Sequence, residues 1–426
     1  MLVNGHLDNT DIFLYDIDSV PLNLEHDVIA KMIRQKNSSM TVHKTASRKE
    51  ALTGADYVVI SVLVGGLDMA EKDDNICKKH GIRHTVGDTI GPMCTARMLR
   101  QVPLLLDVAA DMEKLCPGAP LLSPTNPMAG LTTAVNRYTK VNCIGICHGT
   151  HHAMSIIANS YGVKIPDVEV NVVGVNHFGF IDRVWVKRKE IPIEDVIQKI
   201  WKDAVKGYND PAGHVDKAEY AIQYAELAGY LPNNGDHHFT EFFPWFYAPH
   251  AFDANGKNKY GLDGRLLNVP QRRKRKVETR QLISDWAYKA DKIPDMDTYG
   301  GEHIQDIILG LEGMNKHMTL RQLHLNVMNG GAVPNLPKDA VLEINVNLSK
   351  SGVKPVKNPP LDVYRWGVLA PLIGVNELAT KAAVEHDKKA FMQALLLDPL
   401  MHNFDTVKEL AEELWEVSRP FFKPQR

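Results

Sequence analysis

Short apolar runs and helical patterns alternate over the first 150 residues, and this alternation strongly limits the folds open to the chain. Strands are predicted at residues 11–18, 41–46, 56–62, 120–127 and 142–147, with helical stretches between them. The run YVVISVLV at residues 57–64 has the length and β-branched content of a buried parallel strand. Such alternation predicts a parallel sheet with helices on both faces.

The pattern changes after residue 165, where apolar and polar residues alternate as they do in antiparallel strands. This second part is predicted to hold antiparallel strands at 168–191, helices, a loop-like segment at 231–247, strands at 321–329 and 339–349, and helices to the C-terminus. We therefore predict an α/β protein. A Rossmann-like domain would span residues 1–165, and an α+β domain residues 166–426, as in lactate and malate dehydrogenases.

Composition and charge narrow the classes of partner. The 49 basic and 51 acidic side chains nearly cancel, which argues against a nucleic-acid or membrane partner. The only dense basic run, QRRKRK at residues 271–276, is interpreted as a solvated loop and helix start. Five cysteines and a start without a signal-peptide pattern favour a cytoplasmic protein with free thiols.

Asp16 lies at the end of the predicted strand 11–18. A carboxylate there binds the adenosine ribose in dinucleotide-binding units, about 20 residues after a glycine-rich phosphate loop. Counting back that far passes residue 1, so the unit's first strand and glycine loop are expected to be missing, with weak binding of NAD. Gly65 and Gly66 follow another predicted strand, where they either admit a cofactor or only form a turn.

Cys147 and His148 lie in the run GICHGTHH, and Asn176 and His177 in GVNHFG. Cys147 ends a strand at the carboxyl edge of the predicted sheet, where α/β proteins bind ligands. A thiolate with an imidazole suits a soft or borderline divalent metal and leaves positions open for substrate oxygens. The alternative is a buried core cysteine beside a hydrogen-bonded histidine.

The segment NNGDHHFTEFFPWF contains Asp236, His237, His238 and Glu241 among glycine, asparagine and aromatic residues. Titratable groups in such a setting suggest a site loop with tuned pKa values, and its aromatic residues suit the apolar faces of sugar rings. An acidic, histidine-rich surface loop is the alternative interpretation.

Taken together, the segments YDID, DTIGP, TNPM, CHG, GVNH, GDHH, GEHI and NLP resemble glycoside hydrolase family 4 nearly end to end. This resemblance implies NAD- and metal-dependent hydrolysis, usually with Mn²⁺, rather than the two-carboxylate chemistry of most glycosidases. Oxidation at sugar C3 would acidify the C2 proton, a base would remove it, and elimination would expel the aglycone before water adds.

The resemblance also implies a role for each matching residue. Cys147 and His177 match metal ligands, Asp16 the ribose carboxylate, Asn126 and Asn176 residues that hold substrate and cofactor, Asp88 a sugar contact, Asp236 the base and His148 the leaving-group acid. His237 and His238 are further candidates for binding the sugar, and Gly65 and Gly66 for binding the cofactor. A homodimer or homotetramer is expected.

The sugar itself is predicted only in part. His148 beside the metal cysteine goes with α-linked substrates in the family, and the GDHH loop resembles its α-galactosidase and α-uronidase branches. The tetrapeptide CHGT lacks the Cys-Asn and Cys-Asp forms of the 6-phospho-sugar branch. Two other functions stay open: an NAD-dependent 2-hydroxy acid dehydrogenase of the lactate/malate type, and a non-catalytic protein that binds sugar or NAD.

Overall fold

The computed structural model describes residues 6–204, 218–294 and 302–423. Its strands are β1 (Asp11–Tyr15), β2 (Thr41–Thr45), β3 (Val58–Val59), β4 (Leu121–Ser123), β5 (Cys143–Ile146), β6 (Val168–Val175), β7 (Phe178–Val186), β8 (Lys189–Ile191), β9 (Leu231–Pro232), β10 (Leu323–Met328), β11 (Val341–Ser349) and β12 (Gly352–Pro355).

The helices alternate with these strands in the first half and dominate the last part of the chain. They are α1 (Ser19–Lys36), α2 (Arg48–Leu52), α3 (Gly66–Lys79), α4 (Pro92–Leu115), α5 (Met128–Tyr138), α6 (Gly149–Tyr161), α7 (Ile193–Ala204), α8 (Glu219–Ala228), α9 (Asp236–Phe239), α10 (Val269–Tyr288), α11 (Ile304–Leu311), α12 (Val363–Glu385), α13 (Lys388–Leu397) and α14 (Val407–Ser418).

Most of the strands form one mixed sheet, in the order β3-β4-β5-β10-β11-β6-β7-β8, with β12 beside β11 and β9 beside β7. Strands β3, β4 and β5 are parallel, and the pairs from β5–β10 onward are antiparallel. The predicted α/β class is therefore confirmed. Because β5 pairs with β10, the sheet continues across the proposed domain boundary at residue 165, and that division stays a prediction.

Strands β1 and β2 form a separate parallel pair, and β2 is the only described strand that pairs with β1. The parallel unit predicted for residues 1–165 is thus divided between two sheets. On the β1 side, Phe13 and Tyr15 leave 47% and 39% of their surface exposed. This edge is consequently open to solvent.

Helix α4 forms the centre of the first half, because its first 12 residues are all buried. Pro92 occupies its first turn, where a missing backbone N–H is tolerated. Helix α12 is long and apolar enough to cross a membrane by length and composition alone. Its buried side chains pack against α4, α5 and α13, as those of a core helix do.

The candidate site residues lie on segments that follow or join strands of the main sheet. Asn126 follows β4, Cys147 follows β5, and Asn176 and His177 form the turn between β6 and β7. The segment 231–247, predicted to be loop-like, instead holds β9, the short helix α9 and two 3₁₀ turns. The turn signals of this aromatic-rich segment did not reveal those short elements, whose aromatic side chains are largely buried.

Candidate functional site

A triad of Asp88, His177 and His238 lies at the centre of the candidate site. Each residue offers one ligand atom, and these atoms all lie within 4.8 Å of one another. The two imidazole rings are 4.1 Å apart between centroids. Two imidazoles and a carboxylate are a donor set that borderline divalent metals accept.

His177 is held in a defined orientation. Its backbone has a φ of 65°, a left-handed conformation that suits the tight β6–β7 turn. A hydrogen bond of 2.6 Å joins its Nδ1 to Thr89 Oγ1. Because Nδ1 is engaged in this way, Nε2 is the nitrogen left for a metal or substrate.

Burial favours the neutral form of both histidines of the triad. It lowers the pKa of His177, although the carboxylate of Asp88 acts in the opposite direction. It also lowers the pKa of His238 well below its usual range, and the neighbouring His177 adds to that effect. Neutral imidazole is the form that binds a metal, so the triad is prepared for a cation.

Cys147 follows β5, and its Sγ accepts a hydrogen bond from the Gly149 N–H at 3.2 Å. Burial raises the pKa of this thiol well above its usual range, with a further contribution from the Glu343 carboxylate. Cys147 is not a member of the triad, but it contacts Asn176, the residue before His177. A bound cation would be needed to hold it as a thiolate.

His148 carries a proton more readily than an ordinary histidine. Its Nδ1 lies 2.8 Å from Glu302 Oε1, and this hydrogen bond raises the pKa of the imidazole. The side chain of His148 is 62% exposed, so it can reach a group that enters from solvent. A protonated, accessible imidazole is suited to protonate a leaving group.

Glu343 on β11 lies beneath the site as a fully buried carboxylate. Its Oε1 accepts hydrogen bonds from Thr150 Oγ1 at 2.8 Å and Asn233 Nδ2 at 2.9 Å; its Oε2 accepts from Asn176 Nδ2 at 3.2 Å, His177 N at 3.4 Å and Asn326 Nδ2 at 3.4 Å. One carboxylate therefore joins the segments that follow β5, β6 and β9 with the strand β10.

Glu241 fixes the loop that carries Asp88. Its Oε1 accepts hydrogen bonds from three successive backbone N–H groups, those of Thr85 at 2.6 Å, Val86 at 2.8 Å and Gly87 at 3.0 Å. Burial raises the pKa of Glu241 to about 7 despite these donors. The segment that follows α9 thus reaches the loop before Asp88 through a buried carboxylate.

Asp236, the predicted base, is buried at the start of α9. Its Oδ1 accepts a hydrogen bond from the Ala221 N–H at 2.9 Å, and its Oδ2 lies 3.7 Å from Arg265 Nη2. The first of these contacts attaches α9 to the start of α8, and the second faces the segment before α10. The structure brings His238 of the same segment into the triad, whereas Asp236 is not one of its members.

Two family models match the chain. The model described as family 4 glycosyl hydrolase matches residues 2–163, and the model of its C-terminal domain matches residues 172–401. Together these ranges cover most of the 426 residues. The chain belongs to family 4 of the glycosyl hydrolases. It is therefore an enzyme of the glycoside hydrolase type, as the sequence predicted, and neither a 2-hydroxy acid dehydrogenase nor a non-catalytic binding protein.

Relatives of this family 4 enzyme match it almost end to end. An α-galactosidase from Bacillus subtilis is 28% identical, covering 93% of this chain and 88% of the relative. An α-galacturonidase from Thermoanaerobacter italicus is also 28% identical, covering 97% and 91%. The solved 6-phospho-β-glucosidase from Thermotoga maritima, with NAD and glucose-6-phosphate, has a TM-score of 0.77 at 22% identity and covers 99% of this chain and 95% of that one.

The donor atoms of this family 4 enzyme fit a divalent metal. The triad supplies two neutral imidazoles and a carboxylate, and Cys147 adds a buried sulfur near Asn176. His238 and Asp88, which the sequence predicts as sugar contacts, lie with His177 in the triad. Cys147 and His177 stay the predicted metal ligands, and Asp88 and His238 are further candidates.

The nucleotide side of the enzyme fits a dinucleotide in part. Asp16 follows β1, and its Oδ1 accepts a hydrogen bond from the Asp18 N–H at 2.8 Å. Gly65 and Gly66 have φ values of 78° and 60°, and a Cβ on Gly65 would lie 2.2 Å from Met69 Cγ. Asn126 lies just before α5, and its Oδ1 accepts a hydrogen bond from the Met128 N–H at 3.2 Å. A glycine-rich phosphate loop before α1 is not found among the described residues.

Sequence reasoning missed the carboxylates of Glu302 and Glu343, and for Glu241 it missed the contacts that fix the Asp88 loop. Glu302 was visible only inside the GEHI segment, and Glu241 only as a member of the acidic loop. Glu343 carried a weak signal: it is an acidic residue within the apolar strand VLEINVNL, where a buried carboxylate needs several donors. Pairing across 154 or more residues cannot be read from local pattern.

Proposed function

We propose that this enzyme hydrolyses α-linked glycosides of galactose or of a uronic acid, with NAD and a divalent metal, preferably Mn²⁺. The observation that carries the proposal is the Asp88, His177 and His238 triad beside the hydrogen-bonded His148–Glu302 pair. Support for the sugar comes from relatives called α-galactosidase and α-galacturonidase. Structures similar in fold were solved with NAD and Mn²⁺.

The triad and Cys147 would hold the metal, and Asp16, Gly65, Gly66 and Asn126 would contact the dinucleotide. When bound, these groups supply a hydride acceptor for sugar C3 and a Lewis acid for the sugar oxygens. The protein's own part would be to hold the dinucleotide and the metal around one sugar ring, and to move two protons. Asn176, which contacts both Cys147 and Glu343, would keep its amide beside the sugar and metal.

His148 is proposed to protonate the departing oxygen. Its hydrogen bond to Glu302 raises the pKa of the imidazole, and its exposure would place it toward the aglycone. His148→Ala should spare nitrophenyl substrates, which leave without protonation, and should slow disaccharides by about 10²- to 10⁴-fold. Equal losses on both kinds of substrate would exclude this role.

The base that removes the C2 proton is proposed to lie on residues 235–241, with Asp236 the expected residue. Its contacts to Ala221 N and Arg265 hold the carboxylate in one place, as a positioned base requires. Asp236→Asn keeps the shape and should remove turnover while leaving metal binding intact. His237 and His238 are the alternatives on this segment, and losses specific to one variant would assign the base.

The test of this function is an assay with nitrophenyl α-galactoside and α-galacturonide, NAD⁺, Mn²⁺ and a thiol reductant. We expect turnover that chelator abolishes and Mn²⁺ restores. Cys147→Ser should lose most metal affinity, because a serine hydroxyl does not replace a thiolate ligand. Full activity in chelator, or unaltered Mn²⁺ binding by Cys147→Ser, would contradict the metal assignment.

We also propose a cytoplasmic location and a homodimeric or homotetrameric assembly. All five cysteines are buried free thiols, which a reducing compartment preserves. Sedimentation of the purified enzyme would give its oligomeric state directly.

A further inference from the structure

Four histidines lie around the junction of α6 and α11, and the proposed reaction uses only His148 among them. The others are His151 in the first turn of α6, His303 directly before α11 and His324 on β10. The rings of His151 and His303 are 4.0 Å apart between centroids, at an interplanar angle of 39°. His324 lies close enough to His151 to contribute to lowering its pKa. The junction thus holds three histidines to which the proposed function gives no role.

His151 is buried without hydrogen bonds. Both of its ring nitrogens are shielded from solvent, and neither has a hydrogen-bond partner in the part of the chain that the structure describes. Burial lowers the pKa of this imidazole well below its usual range, and the neighbouring His303 adds to that effect, so the ring is neutral. A buried polar ring without such partners costs stability. What the ring of His151 does provide is a flat surface for His303.

The start of α11 is fixed from its other side. Asp306 is completely buried, and its two oxygens accept hydrogen bonds from the backbone N–H groups of Thr319 at 2.9 Å and Leu320 at 3.1 Å. Further along the helix, a Cβ on Gly310 would lie 2.6 Å from the Leu348 side chain, so α11 packs closely on β11. The two residues before α11 therefore extend toward α6 from a fixed helix.

Glu302 and His303 are consecutive, and they contact two histidines that are one helical turn apart. Glu302 Oε1 lies 2.8 Å from His148 Nδ1, and the ring of His303 lies against that of His151. The other carboxylate oxygen of Glu302, Oε2, is buried and has no hydrogen-bond partner among the described residues. His303 has a φ of 50°, a backbone conformation that surrounding contacts must hold in a residue with a side chain. The ring contact is thus a second attachment of the segment that carries Glu302.

We propose that His303 and His151 are positioning residues, whose ring contact holds Glu302 against His148, the residue proposed to protonate the leaving group. This inference rests on the proposed function, and it gives neither ring a part in the chemistry itself. A displacement of about 1 Å in a reacting group can slow a reaction by about 10²-fold. Loss of the ring contact should therefore impair the step that needs a proton donor, and spare substrates whose leaving group departs without one.

The first test compares variants of His303 on two substrates. His303→Ala removes the ring and should lower kcat on an α-linked disaccharide by about 10- to 100-fold, while the nitrophenyl glycoside changes by about twofold or less. His303→Phe keeps a flat ring against His151 and should retain most of the disaccharide activity. Equal losses on the two substrates would overturn the proposal, as would equal activity of the two variants on the disaccharide.

His317→Ala is the matched control. His317 lies beyond the opposite end of α11, and its ring contacts that of His6 with nearly the same geometry, at 4.1 Å between centroids and 37°. Its removal should leave turnover of both substrates unchanged. His151→Ala breaks the proposed contact from the α6 side, so it should reproduce the selective loss even where His303→Ala does not fold. A selective loss in His317→Ala, or none in His151→Ala, would contradict the positioning role.

A double-mutant cycle shows whether His303 acts through Glu302. Glu302→Gln alone should cause the larger loss on the disaccharide. If His303 acts by holding Glu302, adding His303→Ala to Glu302→Gln should cause no further loss, because the two residues then serve one contact. A double variant whose loss equals the product of the two single losses would contradict the proposal.

Crystal structures of the variants separate this proposal from the proposed function, because they need no turnover. Glu302 Oε1 should lie within hydrogen-bond distance of His148 Nδ1 in the unaltered enzyme and in His303→Phe, and should be turned away in His303→Ala. Should no glycoside be hydrolysed, the glycosidase proposal fails, while this rearrangement would still support the positioning role. A Glu302 carboxylate that stays on His148 in His303→Ala would contradict it.

Discussion

The sugar side and the nucleotide side of this family 4 enzyme are built differently. On the sugar side, Glu343 and Asn233 are completely buried and joined by a network of hydrogen bonds. On the nucleotide side, Phe13 and Ile17 around Asp16 leave 47% and 90% of their surface exposed. One region is organised before any ligand arrives, and the other is open at its surface.

This difference separates two kinds of effect. Buried polar networks tie function to folding, because each lost partner leaves an unsatisfied group. Exposed contacts influence only the ligand that they touch, and their removal changes stability little. Substitutions on the sugar side should therefore change activity and stability together, whereas substitutions on the nucleotide side should change cofactor affinity alone.

The largest expected effect comes from His177→Gln, which removes a nitrogen from the triad. Loss of a metal that stabilises developing charge should lower kcat by about 10³-fold or more. Titration of Mn²⁺, followed by electron paramagnetic resonance, should show the matching loss of affinity. Near-normal activity with unchanged Mn²⁺ affinity would remove the triad from the account.

Glu343→Gln tests whether the buried network couples folding to the site. The NH₂ group of the new glutamine would face groups that are themselves donors. One of them, the backbone N–H of His177, cannot turn away. We expect a free energy of unfolding lower by about 1–3 kcal/mol and Mn²⁺ affinity lower by about 10–100-fold. Thermal melts and metal titration measure both. The exposed Glu190→Gln is the control, and an equal response from the two variants would contradict the coupling.

Glu241 predicts a pH dependence of stability. Its folded pKa of about 7 lies above the ordinary value of 4.5, so the folded state binds the proton more tightly. Stability from this group is complete below pH 4.5 and is lost as the pH rises toward 7, by up to about 3 kcal/mol. Glu241→Gln should flatten the decline measured by urea unfolding between pH 5 and 7. An unchanged slope would show that Glu241 is not responsible.

Asp16→Asn should have the smallest effect on the fold. Losing a charged acceptor for the ribose should weaken NAD binding by about tenfold. Stability should stay within about 0.5 kcal/mol, because the side chain is only half-buried. Calorimetric titration of NAD and a thermal melt decide both points. A large drop in stability with unaltered NAD affinity would reverse the contrast between the two sides.

The sequence predicted the elements better than it predicted the contacts. Period and β-branched content located the strands that became β4, β5, β10 and β11, because burial in a sheet leaves a local signature. The division of the first half into two sheets was missed, since strand pairing depends on distant segments.

For the site, the sequence motifs and the family resemblance gave Asp88, His177 and His238 as functional residues but not as one triad. The contact of Arg272, whose Nη2 donates to the Val86 carbonyl oxygen at 3.5 Å, was also missed. A basic run at the start of a helix has the pattern of a solvated face. Local pattern identifies residue types that can do chemistry. It does not give the direction in which a side chain turns.

Removal of the C2 proton is the central claim, and one measurement tests it most directly. An α-glycoside substrate with deuterium at C2 is converted in ordinary water with NAD⁺ and Mn²⁺, and the released sugar is examined by NMR. The account predicts loss of deuterium from C2 or a primary isotope effect on kcat. Complete hydrolysis that retains the C2 deuterium and shows no isotope effect would contradict it.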